Sequence, residues 1–284
     1  MAIDHVSGAE NFRVVNSLIS SANIEVIPLR GADEKLAALP ADTTVTITCS
    51  PKFGLERTLD HVAMARKAGY RVVPHLAARQ VVDQAHLQEF VGRITGLGVD
   101  DLYVIGGDAD EPVGIYDSAA QLLADLAGMN HSLTRIGIAC YPEGHSKISD
   151  SELLDSLIEK QQYADYMVSQ LCFEADALTG WLKRVRSQGI TLPLRIGLAA
   201  PLSTRKLVEL SLRIGVGTSI RYLTKQRGVV GNLLLGGSYR PEDLLLGIDP
   251  ELLSDETNIE GIHLFSFNQI DATVAWQRRI TASG

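Results

Sequence analysis

The chain has 284 residues, 45% hydrophobic and 21% charged, with a formal net charge of -8. That composition can bury one large core, and its mildly acidic surface excludes a general attraction to nucleic acid or anionic membrane. Cys49, Cys140 and Cys172 are odd in number and show no CxxC or zinc-type spacing, which argues against a disulfide framework, and a reducing, cytoplasmic setting is expected.

Residues 1–20 read as an N-terminal extension or helix without the basic start and apolar centre of a leader, and no run approaches the length of a membrane span. Short β-rich runs follow at Asn23 to Ile27, Thr43 to Thr48, Arg71 to His75 and Asp101 to Ile105. Four more lie at Arg135 to Ala139, Asp165 to Gln170, Leu192 to Leu198 and Gly261 to Phe267. Between the second and third, Leu55, Leu59, Val62 and Ala63 keep helical spacing up to Gly69, and Glu152 to Lys160 and Thr204 to Leu212 repeat the pattern. Regular alternation of strand and helix produces parallel strands with right-handed crossovers. Eight such units in one chain predict an α/β fold, a single (β/α)₈ TIM barrel over residues 1–284, with a doubly wound open sheet as the alternative. The stretch Gly215 to Arg240, with Gly228, Gly231, Gly236 and Gly237, matches neither a Walker loop nor a dinucleotide fingerprint and reads as extra helix and connection.

In such a barrel the chemistry lies at the C-terminal ends of the strands. Glu25 sits in a short first strand that Pro28 stops. A buried glutamate must find a partner or shift its pKa upward, and either outcome suits proton transfer. The other strand ends carry Thr48 and Cys49, Pro74-His75, Gly106-Gly107-Asp108, Tyr141-Pro142-Glu143-Gly144-His145, and Ser169-Gln170. Each has a plain structural reading as well: His75 as a satisfied core histidine, Asp108 as a cap or turn residue, Lys160 as a solvated helix residue. Their gathering at one end favours a polar mouth. No metal site is expected, because His75, Asp108 and His145 form no compact motif, and there is no GxSxG elbow for a serine hydrolase.

The ordered set of segments resembles the methylenetetrahydrofolate reductase family. Ile24-Glu25-Val26-Ile27-Pro28-Leu29-Arg30 resembles the family's Phe-Glu-Phe-Phe-Pro-Pro-Arg, Pro74-His75-Leu76 its Pro-His-Leu, and Gly107-Asp108 the end of its Arg-Gly-Asp. Tyr141 to His145 matches Tyr-Pro-Glu-x-His, Ser169 to Phe173 resembles Thr-Gln-x-Phe-Phe, and His263 to Asn268 resembles His-Phe-Tyr-Thr-Leu-Asn. The resemblance implies a barrel holding FAD at its strand ends, with NADH or NADPH as reductant and methylene-tetrahydrofolate as substrate. Glu25 would be the general acid, and Asp108 would lie near both flavin and pterin. Gln170 and Phe173 would fall on the folate. Thr48, His75, Gly107, Asp108, Tyr116, Tyr141, His145 and Lys160 would contact the flavin, Lys160 and His145 at its diphosphate or ribose end. Three positions depart from the pattern: Gly106 replaces an arginine, Cys49 a bulky aromatic, and Gln269 an arginine after the last asparagine. These departures make a flavin-free transfer directly from the nicotinamide an alternative. Two others are a non-redox folate methyltransferase or folate-binding barrel, and an unrelated barrel lyase using Glu25 and His75. The expected partner is the folate substrate, without nucleic acid or membrane, in a homo-oligomer.

Overall fold

In a computed structural model, which describes residues 2–203, 206–207, 209, 239–248 and 258–282, the eight expected strands are all present. They are β1 Asn23–Val26, β2 Thr44–Ile47, β3 Arg71–Ala77, β4 Asp101–Ile105, β5 Arg135–Cys140, β6 Tyr166–Ser169, β7 Leu194–Ala199 and β8 Ile259–Phe265. Every neighbouring pair is parallel, and β8 pairs back onto β1, with Asn23 beside His263 and Glu25 beside Phe265. The barrel is closed, which removes the open-sheet alternative. Most of the expected helix over Thr204 to Leu212, and nearly all of the stretch from Gly215 to Arg240, lie outside the described residues.

Around the strands run α1 Ala2–Ser20, α2 Ala32–Leu36, α3 Gly54–Lys67, α4 Gln84–Gly96, α5 Ala119–Ala127, α6 Asp150–Lys160 and α7 Ala175–Ser187. After these come α8 Pro241–Gly247 and α9 Ile270–Thr281. Their starts are written locally: Ser118 with Gln121 and Ser149 with Glu152 make reciprocal capping boxes, and Asp83 accepts from the backbone N–H of His86. Helix α3 buries Leu55, Leu59 and Val62, the i, i+4, i+7 face legible in the sequence. Val15 and Ile19 of α1 are buried, and Gln277 of α9 donates to the carbonyl of Ile19, which ties the two ends of the chain together.

Alternation along the strands separates two kinds of packing. Val72, Leu102, Ile138, Met167, Ile196 and Leu264 join the large core between strands and helices. Val73, Tyr103, Ala139, Tyr166 and Val168 form a second cluster inside the barrel. There Tyr166 occupies space that any side chain at position 137 would take, since a Cβ on Gly137 would lie 2.4 Å from its ring.

The seam between β8 and β1 is locked by side chains. Asn268 accepts from the N–H of Ile27 at 2.8 Å and donates to the carbonyl of the same residue at 2.9 Å, mimicking a strand partner. It does so from a left-handed backbone, φ 59°, which asparagine tolerates better than most residues. Ser266 Oγ donates to the Glu25 carbonyl and accepts from the N–H of Asn268. These bonds fix the backbone that carries Glu25.

Candidate active site

Glu25 points into the barrel and is 6% exposed. Its Oε2 lies 3.1 Å from Nε2 of His263, a hydrogen bond brought across the closing seam by the register of β1 and β8. Nε2 of His75, from β3, lies 4.0 Å from the same oxygen and has no hydrogen-bond partner. The ring of Tyr103 meets the His75 ring edge-on at 4.6 Å, and Phe265 meets the His263 ring at 4.7 Å. Beside Glu25 in the register, Thr46 carries a buried hydroxyl without a partner. Burial holds His75 well below the ordinary imidazole range, with proximity to His263 acting in the same direction, so it stays neutral at physiological pH. Of the two outcomes open to a buried glutamate, the structure provides the partner.

Among the described residues, Glu25, His75 and His263 are also the one set whose donor atoms could meet on a metal ion, all within 4.8 Å of one another. One carboxylate and two imidazoles suit a divalent transition metal. The direct Glu25–His263 bond already satisfies two of the three groups without one.

Above this buried trio lies a rim formed by the ends of β2, β4 and β5. Thr48 is half-buried, its N–H held by the carbonyl of Val26 and its own carbonyl accepting from Thr58. Gly107 has φ 94°, and a Cβ there would lie 2.9 Å from Cβ of Ala77, so the turn that presents Asp108 depends on glycine. Asp108 is exposed, and its negative charge reaches Tyr141, His145 and the Cys49 thiol. Burial, aided by Asp108, pushes the Tyr141 phenol up to about 12. Burial lowers His145, which Asp108 partly opposes, and the two rings of Tyr141 and His145 meet edge-on at 5.3 Å. Gln170 turns its side-chain oxygen back onto the N–H of Leu171. Phe173 packs in an apolar group with Leu171, Ala199 and Phe265, and its N–H is held by Glu143.

Two sequence candidates stand apart from the rim. Tyr116 is buried in the core between strands and helices, its hydroxyl donating to Asp125 at 2.6 Å. Lys160 is 7% exposed and donates to the carbonyl of Ala139 at 3.3 Å, and burial depresses its pKa. The sequence reading did not single out His263 as a site residue. The signal was its place two residues before Phe265 on the last strand, which puts it on the inward face.

A family model for methylenetetrahydrofolate reductase matches residues 32–212, well over half of the chain. The chain belongs to the methylenetetrahydrofolate reductase family. The match covers β2 to β7, with Thr48, His75, Asp108, Tyr141, His145 and Gln170 inside it. Glu25 and His263 lie outside the matched span and are placed beside it by barrel closure. A segment of 65 residues is 35% identical to methylenetetrahydrofolate reductase 1 of Schizosaccharomyces pombe, covering 22% of this chain and 11% of that protein. Among solved structures, 2,3-dimethylmalate lyase, a member of the PEP mutase/isocitrate lyase superfamily, superposes with a TM-score of 0.50 at 9% identity, over 96% of this chain and 84% of that one. At that identity the likeness is one of fold alone. Among the described residues no helix is long and apolar enough to cross a membrane.

Proposed function

We propose that the enzyme reduces methylene-tetrahydrofolate to methyl-tetrahydrofolate with hydride from NADH or NADPH, using Glu25 as the proton donor. The observation that carries this reading is the buried Glu25–His263 pair inside the barrel mouth, with neutral His75 beside it. Opening the methylene bridge to an iminium requires a proton on the departing bridge nitrogen. His263, hydrogen-bonded to Oε2, would hold the carboxyl in place while the substrate approaches. Hydride then adds to the iminium carbon, giving the methyl group and the oxidised nicotinamide. Asp108, exposed on the rim, and Gln170 would bind the amide-like edge of the pterin, and Phe173 would offer an apolar face to the rest of the folate.

A bound FAD, which the family resemblance implies, would supply a two-electron carrier between nicotinamide and folate. Thr48, Asp108 and Tyr141 stand at strand ends on the rim, where the resemblance would put the flavin ring, and His145 beside Tyr141 would face its ribose or diphosphate end. The phosphate-side positions do not suit it: Lys160 is turned onto a buried carbonyl, the Tyr116 hydroxyl is held by Asp125, and Gly106 stands where the family carries arginine. The nearby guanidinium of Arg79 is already engaged by the carbonyls of Ala109, Asp110 and Asp117. As placed, the described residues do not fit a complete FAD, and this favours transfer directly from nicotinamide to folate. An absorbance spectrum of the purified protein, followed by anaerobic mixing with NADH and methylene-tetrahydrofolate, tests the reading. A colourless protein that consumes NADH only with the folate supports it, and a flavin band that bleaches with NADH alone contradicts the flavin-free route. No NADH consumption under either condition contradicts the reductase reading.

A further inference from the structure

A cavity of about 270 Å³ opens outside the barrel, between the loops that follow β2, β3 and β4. Phe53, Leu55, Gln80, His86, Ala109 and Val113 line it. Gln80 is 8% exposed, and neither its side-chain oxygen nor its nitrogen has a hydrogen-bond partner. A buried primary amide left wholly unpaired is costly, because both its donor and its acceptor have lost water. A ligand offering a donor and an acceptor side by side would satisfy both atoms at once.

The walls are built rather than accidental. The N–H of Val113 bonds to the carbonyl of Arg79, and that of Ile115 to the carbonyl of Val82, so the loop after β4 lies across the loop after β3. Gly114 permits this crossing, since a Cβ there would lie 1.9 Å from the Val82 carbonyl oxygen. The Arg79 guanidinium pins the same loop through three carbonyls. Nδ1 of His86 accepts from the N–H of Val82, which leaves the ring proton on Nε2.

We infer that this cavity receives the adenine of the nicotinamide dinucleotide, with the Gln80 amide paired to the amino group and ring nitrogen of the base. The assignment rests on the reductase reading proposed above and names where the non-reacting end of its reductant is held. Size supports a single ring system: the cavity lies below the roughly 300–1,000 Å³ of sites for drug-sized ligands. Chemistry supports adenine, whose edge sets an amino donor beside a nitrogen acceptor, the arrangement that a glutamine amide meets in bidentate fashion. Phe53 and Leu55 offer apolar surface to the base. The exposed ammonium of Lys52, 5.5 Å from the centre of the Phe53 ring, stands at the edge where phosphates would leave. Position argues against the reacting rings, because neither Glu25 nor His75 lines the cavity, whereas Ala109 adjoins Asp108 in the chain.

Calorimetric titration with AMP tests the assignment on the unmodified chain, on Gln80→Met, which keeps the volume, and on Val113→Trp. Val113 is 59% exposed, so that tryptophan blocks the cavity without entering the core. AMP should bind the unmodified protein and be displaced by NADH. Either substitution should weaken it by roughly tenfold or more, the scale of one bidentate amide–base pair. Absence of AMP binding, or an affinity in either variant unchanged from that of the unmodified chain, overturns the assignment. AMP binding does not depend on turnover. AMP binding that requires Gln80 in a protein without reductase activity would contradict the proposed function and leave the adenine site standing. An active reductase whose AMP affinity ignores both substitutions would do the reverse.

Discussion

The two ends of the barrel treat their polar side chains in opposite ways. At the N-terminal end of the strands, Arg135 and Arg195 both bind Glu260, the first through two bonds of 2.9 Å and the second at 2.7 Å. Their guanidinium carbons stand 4.7 and 4.1 Å from the centre of the Tyr166 ring, whose hydroxyl donates to Asp101 at 2.7 Å. Every charge there has a counter-charge or a ring, an arrangement that specifies structure and leaves nothing for a substrate. At the mouth, Glu25 has one imidazole partner, while Nε2 of His75 and Oγ1 of Thr46 have none. Incomplete pairing in a rigid frame leaves groups able to bind and exchange protons with a guest. The closed end is built for stability and the open end for chemistry.

Substitutions at each end should therefore divide cleanly between stability and turnover. The largest effect is expected for Glu25→Gln, which keeps size and hydrogen bonding but removes the proton: folate reduction should fall by about 10²–10⁴-fold. The urea midpoint should move little, and an unchanged rate in a folded variant would sink the acid assignment. Arg195→Met at the other end should do the converse, costing on the order of 2 kcal/mol in urea unfolding by leaving Glu260 and the Tyr166 face half-served, with turnover per folded molecule retained. Comparable loss of turnover would mean the two ends are coupled.

His75→Gln should give a smaller, pH-dependent signature. Burial keeps the folded pKa of His75 well below its unfolded value, so its contribution is fully present above about pH 6.5 and is lost as pH falls from there through the folded value. Thermal melts between neutral and mildly acidic pH should thus show a steeper acid-side decline in the unmodified protein than in the variant, and parallel curves would place the titration elsewhere. The smallest effect is expected for Lys160→Met. The ammonium is buried on one carbonyl, so the change should alter stability by less than about 1 kcal/mol, or raise it. A marked fall in nicotinamide affinity in that variant would return Lys160 to the binding site.

The barrel was legible because its evidence is local. Each strand is a short, largely apolar run, and each capping box lies within four residues, so all eight strands fall within a few residues of expectation. The deviations have local causes too: β7 begins at Leu194, after Pro193, which lacks an N–H to pair. The site was legible in part, because strand ends pointed to a polar mouth and the resemblance assigned roles to the residues there. Thr48, Asp108, Tyr141 and His145 do share one rim, yet Tyr116 and Lys160 turn into the core, because side-chain direction is set by neighbours distant in sequence, Asp125 and Ala139 among them. The pairing of Glu25 with His263 spans 238 positions and exists only once the last strand closes on the first. The same holds for Gln80, whose unpaired amide is visible only after the loop carrying Val113 has been laid across it.

The most direct test of the account is to follow a deuterium label from the transferable position of NADH into the folate product under anaerobic turnover. Direct transfer at the mouth predicts one deuterium in the methyl group of methyl-tetrahydrofolate, because a hydride passed from carbon to carbon never meets solvent. A methyl group formed without the label would mean relay through an exchangeable carrier, and no methyl-tetrahydrofolate at all would contradict the reductase itself.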